Sequence, residues 1–306
     1  MAITVYESFR AVFYAPFYLP HALGAYAAEG LDVRLGTSPD LARVAAHLAE
    51  SQADVYWGGP MRILMNRDRD PSQDIVAFCE AVTRDPFFLV GRIPNPDFSL
   101  TDLTDVTVAT VSEVPTPWMC LQDDLRRAGI APAAVTRVAD GTMADNATAL
   151  RAGTIDVAQL FQPDVEALVR DGDGHIWYTA ASRGPCSYTT LYTMRRTLTE
   201  KADALHLMTR AMYRSQKWLH AHSGAEIAGA LADFFPDLPA DLLAAAIDRY
   251  KAAGIWGRNP ILPRHGFDRL STALLSGGLI GTAIPYEDCT DMRFAVAVVA
   301  EDPPAL

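Results

Sequence analysis

Apolar positions along this chain switch repeatedly between two spacings. Alternating or unbroken apolar runs at residues 3–6, 31–35, 54–57 and 75–79 have the period of β-strands. Between them, apolar residues recur three or four apart. This predicts helices over 20–29, over 40–51 (with Leu41, Val44, Ala45 and Leu48 on one face) and from Pro60 onward. A second series then begins. Strands are predicted at 87–91, 106–111, 135–138 and 155–161, and helices at 118–128, 144–152 and from Gln162-Pro163 to Arg170. Gly30, Gly129 and Gly153 each follow a helical run, where a residue without Cβ closes the helix. Residues 186–194 form one more β-rich run. Beyond Leu198 the pattern is helical at 199–222, 225–235, 239–253 and 267–276.

Strand–helix alternation of this kind predicts an α/β fold of mainly parallel sheets flanked by helices. The two series share a plan, and 306 residues suit two units of ordinary size. The expected organisation is two similar lobes. Lobe I is discontinuous, residues 1–86 plus 194–306, and lobe II spans 92–185. The runs at 86–91 and 186–193 carry the chain across as a two-strand hinge.

Composition narrows the function. The chain has 26 Lys and Arg against 37 Asp and Glu, a net charge of −11. That disfavours nucleic acid and anionic membrane surfaces as partners. The four cysteines (Cys79, Cys120, Cys186, Cys289) are scattered without a CxxC pair, which argues against zinc. GxGxxG, GxxxxGK[ST], GxSxG and HExxH are absent, so no cofactor is expected. Residues 1–6 run directly into a strand without a basic segment followed by an apolar stretch, and the chain has no run of about 18 uncharged apolar residues. Neither a signal peptide nor membrane insertion is expected from this sequence.

In α/β sheets, ligands gather beyond the carboxyl ends of strands. Three stretches fall there: the aromatic loop after the first strand (Tyr14, Phe17, Tyr18), Trp57-Gly58-Gly59, and Ser112-Glu113 with Thr116. Gln162 follows the strand at 155–161, and Tyr188 and Thr189 lie on the returning run. These twelve are the expected ligand-binding residues. Tyr14 or Trp57 would stack on a flat ligand. The hydroxyls and amides around Ser112 and Thr116 would hold an oxyanion or a heterocycle edge. Glu113 would accept from an amino group, or simply favour the positive end of a following helix. Arg10 and Arg62 are the nearest cations. No catalytic residue is expected; Cys120, near a helix start, is the one candidate nucleophile.

In order and spacing the chain resembles a periplasmic-binding-protein-like family. That family holds alkanesulfonate-, taurine- and thiamine-pyrimidine-binding proteins and a fungal thiamine-pyrimidine synthase. The resemblance rests on Tyr14-Ala15-Pro16-Phe17-Tyr18, Gly24-x-x-Ala27-x-x-Gly30-Leu31-Asp32-Val33, Ala53-Asp54-Val55 and Asp85-Pro86-Phe87-Phe88. Further along it rests on Leu103-x-x-Val106, Ala149-Leu150-x-Ala152-Gly153-x-Ile155-Asp156-Val157 and Gln162-Pro163. It implies a two-lobed type II binding-protein fold closing on a ligand in the cleft. It also implies the solute-binding component of an ABC-type importer, monomeric and working with a permease, for a pyrimidine-like ligand, a sulfonate or an aromatic acid. Such a protein is periplasmic if a leader was removed, and cytoplasmic if this sequence is the native full length. The alternative is a cytoplasmic enzyme on the same frame, desulfinase-like or forming the thiamine pyrimidine. The synthase branch carries a His where Tyr14 stands and a cysteine-rich stretch where only Cys186 stands; both departures count against that chemistry.

Overall fold

The computed structural model describes residues 1–38 and 40–306; the side chain of Leu41, assigned above to a helix face, lies outside what is described. Ten strands form two five-stranded sheets. They are β1 (Ala2–Glu7), β2 (Asp32–Thr37), β3 (Val55–Gly58), β4 (Ile75–Val82), β5 (Phe88–Gly91), β6 (Thr107–Ala109), β7 (Thr136–Val138), β8 (Val157–Leu160), β9 (His175–Thr179) and β10 (Thr189–Met194). The first sheet runs β2-β1-β3-β10-β4 and the second β7-β6-β8-β5-β9. The two orders are the same arrangement. Each sheet has four parallel strands with one antiparallel strand in its fourth place, and that strand is the one whose chain has come from the other sheet. Both sheets are therefore mixed, and the α/β architecture expected from the alternation is present.

The inner strands of the first sheet are buried on both faces, as helices covering both sides require. Successive residues divide between two cores. Val55, Trp57, Val76 and Phe78 pack with Phe17, Leu205, Met208 and Met212. Tyr56, Ile75, Ala77 and Tyr192 pack with Leu64, Phe267 and Leu270. The period of two is thus written into the strands as two apolar faces.

Several local expectations are corrected. The aromatic stretch after β1 is not a loop: it is a 3₁₀ turn, Val12–Tyr14, followed by a helix, Ala15–Ala22. Pro16 suits a first helical turn, where its missing N–H has no partner to lose. The helix expected over 20–29 is broken at Gly24, which sits at φ 67°, and resumes over Ala25–Ala28. A helix at Met143–Ala152 starts with a reciprocal Thr142–Asp145 cap and ends at left-handed Gly153, as read. The helices Tyr286–Cys289 and Arg293–Glu301, and strand β9, have no counterpart in the sequence reading.

The chain passes between sheets twice, at residues 83–87 and 180–188, and the two crossings bond to each other. Cys186 N donates to Thr83 O (2.9 Å), Tyr188 N to Val82 O (3.0 Å) and Ala180 N to Phe87 O (3.0 Å). Between them lies a buried ionic cluster. Arg183 donates to Asp85 (Nη1–Oδ2 2.5 Å) and twice to Asp124 (Nη2 2.5 Å, Nε 2.9 Å). The side chains of Arg183, Asp85 and Asp124 are 2%, 0% and 6% exposed. Phe87 N donates to Asp85, Tyr178 OH donates to Asp124, and Arg269 reaches both Asp124 and the Arg183 carbonyl. The cluster joins both crossings to helix Thr116–Arg127 of the second sheet and helix Arg264–Ser276, which packs on the first.

Two stability predictions follow from these buried charges. Arg183→Met leaves two buried carboxylates without their cation and should lower unfolding free energy in urea by about 3–5 kcal/mol; Arg34→Ala, in an exposed pair, should change it little. Glu80 on β4 is fully buried. Burial pushes its carboxyl up to about 8, opposed by the Ser187 hydroxyl donating at 2.5 Å. Because the folded value lies above the ordinary 4.5, the stability this group contributes is full below about pH 4.5 and is lost as pH rises through about 8. The urea midpoint should fall over that interval, and should fall less in Glu80→Gln; equal slopes would show that Glu80 is not the group responsible.

Candidate functional site

The carboxyl ends of β1, β3 and β6 open toward one another where the two lobes meet. Beyond β1 come Ser8, Phe9, Phe13 and Tyr14. Beyond β3 come Gly59, Met61 and Arg62, and beyond β6 Val114 and Thr116. The two crossings and the start of β10 add Phe87, Tyr188 and Thr189. Together these line a narrow cavity of about 30 Å³. A second cavity of about 480 Å³ adjoins it through Phe9 and Val114, and carries Arg10, Glu113, Met143, Phe161 and Asp164 on its walls.

Aromatic rings build one side of the inner cavity. Phe13 lies 4.3 Å from Tyr14 by ring centroids and meets Phe161 edge-on at 5.1 Å; Phe87 meets the same Phe161 ring edge-on at 5.1 Å. Phe161 comes from the end of β8, so first- and second-lobe rings interlock across the cleft. Tyr188 meets Phe13 edge-on at 6.2 Å, and its hydroxyl and Thr189 Oγ1 are both buried and have no partner among the described residues. A buried donor without a partner costs on the order of 1–3 kcal/mol. Burial raises the Tyr14 phenol above its ordinary value, with Tyr192 adding to the rise and Arg62 opposing it. Tyr14 therefore stays a neutral hydroxyl, and the guanidinium of Arg62 acts on it from nearby. Among the described residues, no carboxylate lines the inner cavity.

Of the twelve expected residues, Tyr14, Gly59, Thr116, Tyr188 and Thr189 line the inner cavity. Glu113 lines the outer one, where its Oε1 accepts from Met143 N (2.8 Å) at a helix start. The other six line neither. Trp57, 1% exposed, stacks on Phe17 at 5.2 Å and meets Tyr18 edge-on at 5.4 Å within the first-lobe core. The Tyr18 hydroxyl donates to Glu7 (2.7 Å), which also pairs with Arg10. Gly58 sits where a Cβ would come 3.0 Å from Ser8 Oγ and 3.2 Å from Tyr192 Oη, so a larger residue there requires both side chains to give slightly. Ser112 is exposed, its N–H bonded to Gly141 O. Gln162 is buried. Its Oε1 accepts from Glu166 N and its own N–H donates to Tyr250 OH, while Nε2 has no protein partner.

The lining also includes residues absent from that set: Ser8, Phe9, Phe13, Met61, Arg62, Phe87 and Val114. Arg62 carried a signal, since it stands four residues beyond the end of β3, but the direction of its side chain cannot be read from spacing. Cys120 does not serve as a nucleophile's site. It is buried beside Cys186, Sγ to Sγ 3.8 Å, and that contact and burial raise its thiol well above the ordinary value. Among the described residues, no group of three or more His, Cys, Asp and Glu is placed to hold a metal ion, and no helix is long and apolar enough to cross a membrane.

Known proteins share this frame. The binding protein YtlA of Bacillus subtilis (strain 168) is 26% identical over 301 residues, covering 98% of this chain and 90% of its own. The periplasmic aliphatic sulphonate binding protein SsuA of Escherichia coli superposes with a TM-score of 0.74 at 14% identity, over 94% of this chain and 96% of its own. The desulfurization enzyme DszB superposes with a TM-score of 0.67 at 13% identity, over 98% and 100%. At these identities the two structures establish the fold, the two-lobed binding-protein frame, which carries both binders and an enzyme. Residues 13–225 match the model of the NMT1/THI5-like family. That match spans well over half of the chain and confirms the resemblance read from the ordered motifs: the chain belongs to the NMT1/THI5-like family.

Proposed function

We propose that this protein is the solute-binding component of an ABC-type importer and takes a small organic anion with an apolar or aromatic body. The observation that carries the reading is the inner cavity itself. Among the described residues it has one guanidinium, Arg62, two buried hydroxyls without partners, Tyr188 and Thr189, and aromatic walls without a carboxylate. An anionic head satisfies the hydroxyls and meets the cation, while Phe9, Phe13 and Phe87 cover the body. A sulfonate or an aromatic acid fits that division better than a neutral aminopyrimidine. Glu113 and Asp164, which would attract an amino group, lie in the outer cavity instead.

The lobes, residues 1–86 with 194–306 and residues 92–185, close on the ligand by bending at the hinge runs 86–91 and 186–193. Most of that change falls on the crossings 83–87 and 180–188, because β5 and β10 are already bonded into their sheets along their lengths. The relatives' names support binding over catalysis, and so do the buried cysteines.

Thermal shift against alkanesulfonates, aromatic carboxylates and aminopyrimidines tests the reading, since a ligand specific to the folded state raises its stability. An organic anion should raise the melting temperature. Calorimetry with that ligand should show Arg62→Met weakening binding by about 10- to 100-fold, and Tyr188→Phe and Thr189→Val by about 5- to 10-fold each. Stabilisation by aminopyrimidines alone, or full affinity in Arg62→Met, would sink the anion assignment. For the enzyme alternative, thiol reagent at neutral pH should leave Cys120 unlabelled until denaturant is added, as its raised thiol pKa and burial require; rapid labelling in the native state would reopen thiol chemistry.

A further inference from the structure

A hollow of about 590 Å³ lies apart from the cleft and shares no lining residue with either cleft cavity. Its walls carry Arg84, Lys251, Arg258, His220 and His265, with Asn259 among them. Among the described residues no Asp or Glu lines it, and Arg84, Arg258 and Lys251 take part in no ion pair. This is unexpected in a chain of net charge −11.

Lys251 is held in position. Lys251 Nζ donates to the carbonyls of Leu219 and His222. His220 Nε2 sits 3.1 Å from Gly257 O. The His220 imidazole is held below its ordinary value by burial first, then by the positive charges of Arg258 and Lys251, against the pull of its Gly257 contact. The positive field is therefore felt inside the wall as well as at the rim. Three permanent cations gather here with no carboxylate on the walls, Glu226 acting on Lys251 from outside them, and their mutual repulsion is offset when a multiply charged anion enters. Two of the three are arginines, whose forked donors match phosphate oxygens in pairs. The hollow is concave, so it admits a small molecule where a flat membrane surface would touch only the exposed Arg258 and His265.

We propose that this hollow is a second binding site, for a small soluble anion bearing one or more phosphate groups. The site stands independently of the cleft ligand. It also touches the moving part of the molecule. Thr83 and Arg84 belong to one crossing and Pro185 to the other, and Trp256 on its wall donates from Nε1 to Phe13 O (2.9 Å), behind a ring of the cleft.

The test is calorimetry of the intact chain with pyrophosphate and with inorganic phosphate, at low and at physiological salt. Saturable binding is expected for pyrophosphate, weaker for phosphate and weaker again with added salt. Arg258→Glu and Arg84→Glu should each reduce it about tenfold or more, and Arg258→Glu should do so while leaving the melting temperature of the free protein and the affinity for the cleft ligand unchanged. Three results would overturn the proposal: no pyrophosphate binding at millimolar concentration in low salt, equal binding by both charge-reversal variants, or retention on vesicles of anionic phospholipid without binding of free pyrophosphate. Because the cleft ligand is measured in the same variants, failure of this site and failure of the cleft assignment give different patterns.

Discussion

The two lobes are held in register by one buried cation. Arg183 is the only guanidinium among the described residues that is almost wholly buried and bonded to two carboxylates, and those carboxylates come from the opposite crossing and from a second-lobe helix. Each partner alone would be intolerable in an apolar surround. Together they form a neutral set with Arg269, and each remaining oxygen finds a backbone or phenol donor. Such a cluster adds little net stability compared with well-packed apolar groups. What it supplies is a single acceptable arrangement, because any slip of one crossing past the other strands a charge. The cleft is built directly on that arrangement, since Phe87 and Tyr188 stand two and five residues from its members.

The sheets explain why the cleft lies where it does. In each, the parallel strands end at the same edge, and the antiparallel strand is the chain arriving from the other lobe. Ligand-facing loops and crossings therefore converge by topology. Aromatic side chains close the gap between lobes, which keeps water from the hydroxyls of Tyr188 and Thr189 and strengthens any bond they make there.

Much of this was legible beforehand. Strands show themselves by period two, helices by apolar spacing and terminal glycine, and the doubling of the pattern by its recurrence after residue 90. The cleft was only half legible. Tyr14, Gly59, Thr116, Tyr188 and Thr189 stand at strand ends and face inward. Phe17, Tyr18 and Trp57 stand at similar places in the sequence, yet fill the core. The difference lies in the short helix at Ala15–Ala22, which turns successive aromatics in different directions and sends Phe17 against Trp57. Aromatic composition reads the same for a wall and for a core, so only the rotation of that helix separates them.

By itself, then, the sequence determined the elements, their doubled order and the family, because these follow from local periodicity and from motifs that keep their spacing. It also determined the net charge. Only the tertiary structure decided which strand-end residues share a cavity, that Arg62 stands on its wall, and that Arg84, Lys251 and Arg258 meet in one hollow. Those facts depend on residues distant in the chain being brought side by side by the two crossings, and on the direction each side chain takes once its neighbours are packed. Neither quantity is carried by hydrophobic spacing.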